Sequence, residues 1–164
     1  MLALARSEPQ EAAIDFENVD LTAAAAEAIK DTHDLALARN IDLGLDAAPG
    51  LYIEGNREAL RTLARNLIDN AVRYTPQDGT VQVRCHSTAQ GALLEISDSG
   101  PGIPAQDRER VFDRFYRRAA AQEGGTGLGL AIVKAIAERH GARIELGEAP
   151  GGGLQVVVSL PRSS

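Results

Sequence analysis

Cysteine, tryptophan and long apolar runs are what this sequence most lacks. Its single cysteine, Cys85, excludes an internal disulfide and fits a reducing compartment. No apolar run approaches the roughly 18 residues of a membrane-spanning helix, and the start shows no signal-peptide pattern. Trp is absent, and Phe and Tyr number three each, so Leu, Ile, Val and Ala must build the core.

The charge balance is acidic, which limits the partners that the chain can take. Lys and Arg number 17 against 23 Asp and Glu, a formal net charge of −6. An acidic chain is a poor binder of nucleic acid unless its cations cluster. The 164 residues suit one domain, which can bury about two-thirds of the surface of its unfolded chain. We therefore expect one globular domain with no nucleic-acid partner and no membrane contact.

Hydrophobic periodicity predicts both helices and strands in this chain. Helical spacing covers residues 23–40, 58–75 and 130–140, with predicted N-caps at Thr22 and Asn56 and a C-cap at Gly141. Strand patterns lie at residues 13–21, 41–45, 50–54, 80–87, 92–97, 143–146 and 154–160. This order predicts an α/β (α+β) two-layer sandwich, with a mixed, roughly five-stranded sheet and about three helices on one face.

The predicted helix over residues 58–75 carries a polar stripe beside its apolar face. Asn66, Asn70 and Arg73 are spaced i, i+4 and i+7, so they stack along one side of the helix. Asn is a mediocre helix former because its amide competes with the backbone for hydrogen bonds. The stripe is either a solvated flank or one wall of a binding site, and the helix alone does not decide between the two.

Three alternate glycines, Gly125, Gly127 and Gly129, precede the last predicted helix. Glycine lets a backbone approach a ligand closely, and a helix N-terminus offers free N–H groups and the positive end of its dipole. No Gly-Lys-Ser/Thr follows, so this is not a P-loop, and the spacing differs from the dinucleotide fingerprint. The run is either a phosphate site or a flexible loop before a helix.

Asp98 follows a strand of buried character and precedes Gly100 and Gly102. One interpretation is an Asp that begins a turn and accepts hydrogen bonds from nearby N–H groups. The other is a carboxylate at the floor of a pocket, where the glycines leave room for a flat ring. Because a carboxylate only accepts hydrogen bonds, it would favour adenine, whose exocyclic amine donates, over guanine, which presents a carbonyl.

Four stretches together resemble one family, the bacterial sensor histidine kinases. RNLIDNAVRYTP (65–76) is similar to their N box, DSGPGIP (98–104) to the first glycine box, FDRFYR (112–117) to the F box and GGTGLGLAIVKAIAERHG (124–141) to the second glycine box. The boxes occur in the right order, and the resemblance covers roughly residues 14–161. It implies the Bergerat ATP-binding fold, which gyrase, mismatch-repair and chaperone ATPases share.

The resemblance implies a Mg²⁺-ATP site and a role for each box. Asn70 and Asn66 would hold the Mg²⁺, with the main ligand of the two left open, and Arg73 would lie against the phosphates. Tyr74 would pack near the adenine or ribose, and Asp98 would take the adenine amine. The other residues implied to line the nucleotide site are Gly100, Gly102, Ile103, Phe115, Gly125, Thr126, Gly127, Leu128, Gly129 and Leu130, and residues 118–124 would form the ATP lid.

Asn66 and a missing motif narrow the expected reaction. Related hydrolases carry a catalytic Glu one turn before the Mg²⁺-binding Asn, whereas the Asn66 amide cannot act as a base. The family's phosphoacceptor His lies in a dimerisation domain, in a motif resembling His-Glu-Leu-Arg-Thr-Pro that this sequence lacks. The resemblance therefore implies a protein-histidine kinase domain that phosphorylates a His on a separate dimerisation domain. The alternatives are a stand-alone ATPase of this fold and a regulatory module that binds nucleotide without transfer.

The resemblance also implies where the chain sits in a longer protein. Residues 1–10 would be the remnant of a dimerisation helix with its linker, and residues 11–164 the catalytic ATP-binding domain. The parent would be an inner-membrane sensor with this domain in the cytoplasm, and a response regulator receiver domain would be the next partner in two-component signalling. We interpret His33, His86 and His140 as structural or surface residues, and Cys85 as a packing residue.

Overall fold

The computed structural model describes residues 15–101, 106, 129–150 and 152–161. The described elements run in the order β1 (Glu17–Asp20), α1 (Leu21–Ala38), β2 (Asp42–Ala47), β3 (Tyr52–Gly55), α2 (Arg57–Tyr74), β4 (Thr80–Ser87), β5 (Gly91–Asp98), α3 (Gly129–Arg139), β6 (Arg143–Glu148) and β7 (Leu154–Pro161). Each helix and strand predicted outside the undescribed segments is present, with ends that differ by a few residues.

A five-stranded mixed sheet in the order β2-β4-β5-β7-β6 forms one layer of the domain. Only β2 and β4 are parallel, and the other three pairings are antiparallel. Alternate residues of β4, β5 and β7 are buried on a single face, as the period of two requires. The helices cover that face, which confirms the predicted two-layer α/β sandwich.

The two short strands before α2 belong to different sheets. β2 joins the main sheet beside β4, whereas β3 pairs with β1 in a separate two-stranded antiparallel sheet. The predicted N-cap at Thr22 is wrong, because α1 begins at Leu21 and the Asp20 carboxylate accepts from the N–H groups of Thr22 and Ala23. The Thr22 hydroxyl instead donates to the Ala48 carbonyl at 2.6 Å.

Helix α2 lies in the middle of the helical layer and matches the sequence prediction closely. Its N-cap is Asn56, whose Oδ1 accepts from the Ala59 N–H at 2.8 Å, and it ends before Pro76. Its apolar face is buried against the sheet, and α1 and α3 pack on its two sides. Among the described residues, no helix is both long and apolar enough to cross a membrane.

Candidate functional site

The two flanks of α2 have different partners. On one flank Arg57 pairs with Glu27 and Arg61 with Asp31, both on α1, and each pair has its closest atoms 2.9 Å apart. Asn66 and Asn70 each lie nine positions after one of these arginines, which is about two and a half turns and therefore the opposite flank.

Asn66 and Asn70 are half-buried, and their amides make no side-chain hydrogen bond to any residue of the described chain. Because both side chains are partly exposed, water can satisfy their amides when no ligand is bound. Both amides are therefore free to bind a ligand at this flank. The absence of protein partners within the described chain is what both a solvated flank and one wall of a binding site require.

Helix α3 runs back along this flank of α2. His140 directly follows α3, and its Nε2 accepts a hydrogen bond from the backbone N–H of Asn56 at 3.0 Å. This hydrogen bond joins the end of α3 to the start of α2. The 11 residues of α3 span roughly 16 Å. By its length, α3 extends from the start of α2 toward the part of α2 that carries Asn66 and Asn70. A helix N-terminus there brings free N–H groups and a positive dipole end to the two amides.

Asp98 begins a turn, as one of the two interpretations of its sequence position predicted. It ends β5, is 6% exposed, and its Oδ1 accepts from the Gly100 N–H at 2.9 Å and the Leu154 N–H at 3.1 Å. Within the described residues nothing donates to Oδ2. One oxygen thus fixes the turn after β5 and the start of β7, and the other remains available to an outside donor such as an exocyclic amine.

Two glycines allow the backbone to approach closely around Asp98. A Cβ on Gly100 would stand 2.9 Å from the Tyr74 carbonyl oxygen, so the turn after β5 touches the last turn of α2. A Cβ on Gly153 would stand 1.8 Å from the Asp98 carbonyl oxygen and 2.8 Å from its Oδ1. Gly153 is a site residue that the sequence did not reveal, because it is distant from Asp98 along the chain and belongs to a turn that already needed glycine.

The last turn of α2 carries two more predicted site residues, Arg73 and Tyr74. Arg73 is half-buried and its Nε donates to Asp69 Oδ2 at 3.0 Å, an i,i+4 pair on the same helix. Asp69 was not predicted as a site residue, and its carboxylate orients the Arg73 guanidinium. Tyr74 is half-buried as well. Leu130, predicted to line the site, packs against the edge of the core.

The structure places Tyr74 against the Asp98–Gly100 turn, with Arg73 on the same helical turn and Asn70 and Asn66 one and two turns earlier on α2. The remaining predicted site residues lie outside the described residues, namely Gly102, Ile103, Phe115, Gly125, Thr126, Gly127 and Leu128. The predicted lid over residues 118–124 also lies outside them.

The histidines and the cysteine fit structural or surface roles. His140 is 5% exposed and burial lowers the pKa of its ring, so the neutral form is favoured. His86 Nε2 lies 3.1 Å from Glu95 Oε2, and His33 is exposed. Burial raises the pKa of the Cys85 thiol to about 12, which keeps it protonated and unreactive.

Comparison with known proteins agrees with this geometry. Residues 55–164 match the family described as histidine kinase-, DNA gyrase B-, and HSP90-like ATPase. The chain belongs to this family. The ATPase family match begins at β3 and includes α2, the Asp98 turn and α3, so all of the described candidate site falls within it.

Individual relatives place the chain among the catalytic ATP-binding domains of sensor histidine kinases. The phosphate regulon sensor protein PhoR of Pseudomonas aeruginosa is 40% identical over 156 residues, covering 93% of this chain and 35% of PhoR. The chain thus spans about a third of that relative's length.

Two solved structures are similar over almost their whole length. The mycobacterial sensor histidine kinase MprB is 34% identical with a TM-score of 0.79, covering 90% of this chain and 100% of that one. The ATP-binding domain of PrrB from Mycobacterium tuberculosis is 32% identical with a TM-score of 0.75, covering 92% and 99%. The chain is therefore an ATP-binding domain of the histidine kinase type.

Proposed function

We propose that this domain binds Mg²⁺-ATP between α2, α3 and the Asp98 turn, and donates the γ-phosphoryl to a His on a separate dimerisation domain. The observation that carries the proposal is the pair of half-buried Asn66 and Asn70 amides, which face no protein partner in the described chain. They lie on the flank toward which the α3 N-terminus is directed.

The amide oxygens of Asn66 and Asn70 fit a magnesium ion. Mg²⁺ binds oxygen ligands, keeps several waters, and is commonly held by one or two side chains together with substrate phosphates. Asn66 and Asn70 would hold the ion, which would offset the negative charge of the phosphates. No group of three or more His, Cys, Asp or Glu residues that could hold a metal ion occurs in the described part of the chain. Asn70, nearer to the Asp98 turn, is the stronger candidate for the main ligand.

The protein's own groups then bind and orient the nucleotide. Asp98 Oδ2 accepts a hydrogen bond from the exocyclic amine of adenine. Gly100 leaves room for the ring, and Tyr74 packs beside the base or ribose. Arg73, held by Asp69, and the first N–H groups of α3 stabilise the negative charge that the phosphoryl group carries during transfer. The predicted site residues outside the described part of the chain keep their predicted roles in this proposal, and so do Gly129 and Leu130; they are Gly102, Ile103, Phe115, Gly125, Thr126, Gly127 and Leu128.

The reaction is transfer rather than hydrolysis. The incoming imidazole nitrogen forms a P–N bond as the bond between the γ-phosphorus and the β–γ bridging oxygen breaks, and ADP leaves. Asn66 occupies the position from which a carboxylate would activate water, and an amide cannot accept that proton. A stand-alone ATPase would need another base. Neither that function nor a regulatory module without transfer is favoured by a specific observation.

The partners in this proposal are two protein domains. The dimerisation domain of the same kinase supplies the His, and a response regulator receiver domain takes the phosphoryl group in the next step of the phosphorelay. In this proposal the catalytic domain is residues 11–164. The parent protein is an inner-membrane sensor that holds this domain in the cytoplasm.

Replacement of Asn70 tests the proposal directly. We expect Asn70→Ala to weaken Mg²⁺-dependent ATP binding by at least about tenfold, measured by titration calorimetry with and without Mg²⁺. The control is Arg65→Ala, an exposed change on the same helix, which should leave the affinity unchanged. If Asn70→Ala binds Mg²⁺-ATP as tightly as the unmodified domain, the amide is not a ligand. A domain that binds no ATP under any condition would refute the whole proposal.

A further inference from the structure

Arg39 joins the end of α1 to the end of α2. It is the C-cap residue of α1, and its side chain crosses to the neighbouring helix. Its Nε donates to the Val72 carbonyl at 3.1 Å, and its Nη2 donates to the Thr75 carbonyl at 2.7 Å. These contacts link positions that are 33 and 36 residues apart in the chain.

The Val72 carbonyl needs an outside donor because of Pro76. In a continuing helix the Val72 carbonyl would accept from the residue four positions later, but that residue is Pro76, which has no N–H. The Thr75 N–H and hydroxyl both donate to Ala71, at 3.1 and 2.7 Å, so they do not serve Val72 either. A guanidinium suits this position, since it is charged, offers several donors in a fixed fork and lies at the negative end of the helix dipole.

The loop after α2 is hydrogen-bonded to the corner between α1 and β2, which is formed by residues 39–42. The Arg39 carbonyl accepts from the Asp78 N–H at 3.3 Å, and the Asn40 amide donates to Asp78 Oδ1 at 2.5 Å. The Asp42 N–H donates to the Gly79 carbonyl at 2.9 Å. The corner between α1 and β2 therefore fixes both the last turn of α2 and the chain that leads into β4.

The end of α2 is also one wall of the candidate site. The Tyr74 carbonyl lies against Gly100, whose N–H is bound by Asp98 Oδ1 at 2.9 Å. Arg73 stands on the same turn. A shift of this turn would change the distance from Arg73 and Tyr74 to Asp98, and displacements near 1 Å at a site cost about a hundredfold in rate.

We propose that Arg39 is a positioning residue of the nucleotide site, which sets the place of the last turn of α2 relative to the Asp98 turn. It touches neither the nucleotide nor the phosphates, and acts through the carbonyls of Val72 and Thr75. This role rests on the proposed function, because it describes how the wall of that ATP site is held.

The domain offers a matched control for this proposal. Arg61 also joins α2 to α1, through two hydrogen bonds of 2.9 Å to Asp31, but it lies on the flank away from the Asn stripe. Removal of either arginine loses one link between the same two helices. Only the loss of Arg39 releases carbonyls beside the candidate site.

The test compares Arg39→Gln, Arg39→Lys and Arg61→Ala by ATP titration, at a temperature where circular dichroism shows each variant fully folded. We expect Arg39→Gln to weaken ATP binding by about tenfold or more, Arg39→Lys to recover part of that loss, and Arg61→Ala to bind like the unmodified domain. Equal affinity in Arg39→Gln and the unmodified domain would overturn the proposal, as would an equal loss in Arg61→Ala.

Backbone amide resonances without nucleotide separate this result from the proposed function. Arg39→Gln should move the resonances of Tyr74 and Gly100 more than that of Ala59 at the other end of α2, and Arg61→Ala should not. If the unmodified domain binds no ATP, the proposed function fails, and these resonances still decide whether Arg39 holds this wall. Unmoved Tyr74 and Gly100 resonances would overturn the positioning role.

Discussion

Gly153 is the residue at which the structure makes its sharpest prediction about stability. A methyl group added there would stand 1.8 Å from the Asp98 carbonyl oxygen and 2.7 Å from its carbonyl carbon, well inside the 3.0 Å that real Cβ contacts respect. Both atoms belong to the backbone where β5 ends, so neither can rotate away. Gly153→Ala must push the β6–β7 turn away from Asp98.

The cost of that displacement follows from overpacking and from a strained hydrogen bond. Overpacking in a close-packed region typically costs about 1–3 kcal/mol, and the immobile backbone partner places this site near the upper end. The bond from the Leu154 N–H to Asp98 Oδ1 lengthens at the same time. For a domain of this size about 3 kcal/mol lowers the melting temperature by roughly 6–12 °C.

Thermal unfolding followed by circular dichroism measures this effect, with ATP titration of the folded variant as a second readout. The control is Gly147→Ala on β6, where an added Cβ meets nothing within 4 Å, so the melting temperature should stay within about 2 °C. Affinity for ATP should fall in Gly153→Ala and stay unchanged in the control. Equal melting temperatures in the two variants would refute the close approach of Gly153 to Asp98.

The remaining predictions concern His140 and Asp98. Burial lowers the pKa of His140 from 6.5, so the neutral buried ring stabilises the fold fully above pH 6.5. This stabilisation is lost as the pH falls below 6.5 toward the folded-state pKa. The unfolding free energy should therefore decrease in that pH range. His140→Gln should reduce that pH dependence in urea unfolding and the exposed His33→Gln should not; equal slopes in all three proteins would contradict the buried neutral ring. Asp98→Asn keeps an oxygen for the Gly100 and Leu154 N–H groups but can present an amide NH₂ to the base, so it should weaken ATP binding about tenfold and reduce the preference over GTP. If Asp98→Asn still prefers ATP over GTP in a competition titration, Asp98 Oδ2 does not recognise adenine.

Local signals were strong enough to predict the elements around the site. Helix α2 was predicted within one residue at each end, because Asn56 caps it, its apolar residues repeat with helical spacing, and Pro76 ends it. Strands β4 and β5 were equally clear from the alternation of apolar residues. The C-cap at Gly141 is confirmed, with a φ of 65° that favours glycine. Each of these signals lies within a few residues of what it determines.

The N-cap of α1 shows where such local signals fail. Asp20 and Thr22 are both good capping residues two positions apart, and the sequence does not choose between them. The contact that decides is distant, because the Thr22 hydroxyl donates to Ala48 across the loop between β2 and β3. The Asp20 carboxylate is then the group left to cap the helix.

The sequence by itself determined the chemistry of the candidate site, namely two amides, an arginine, a carboxylate and a glycine-rich helix start, since residue type and local spacing decide which groups a ligand can meet. Only the tertiary structure decided which of these groups lie together and what holds them. Arg39 reaches α2 across 33 residues, Asp98 reaches Leu154 across 56, and His140 reaches Asn56 across 84. Such contacts depend on how the sheet and helices pack and leave no periodic trace in the chain. For the same reason, the freedom of the Asn66 and Asn70 amides became visible only once α1 was found on the other flank of the helix.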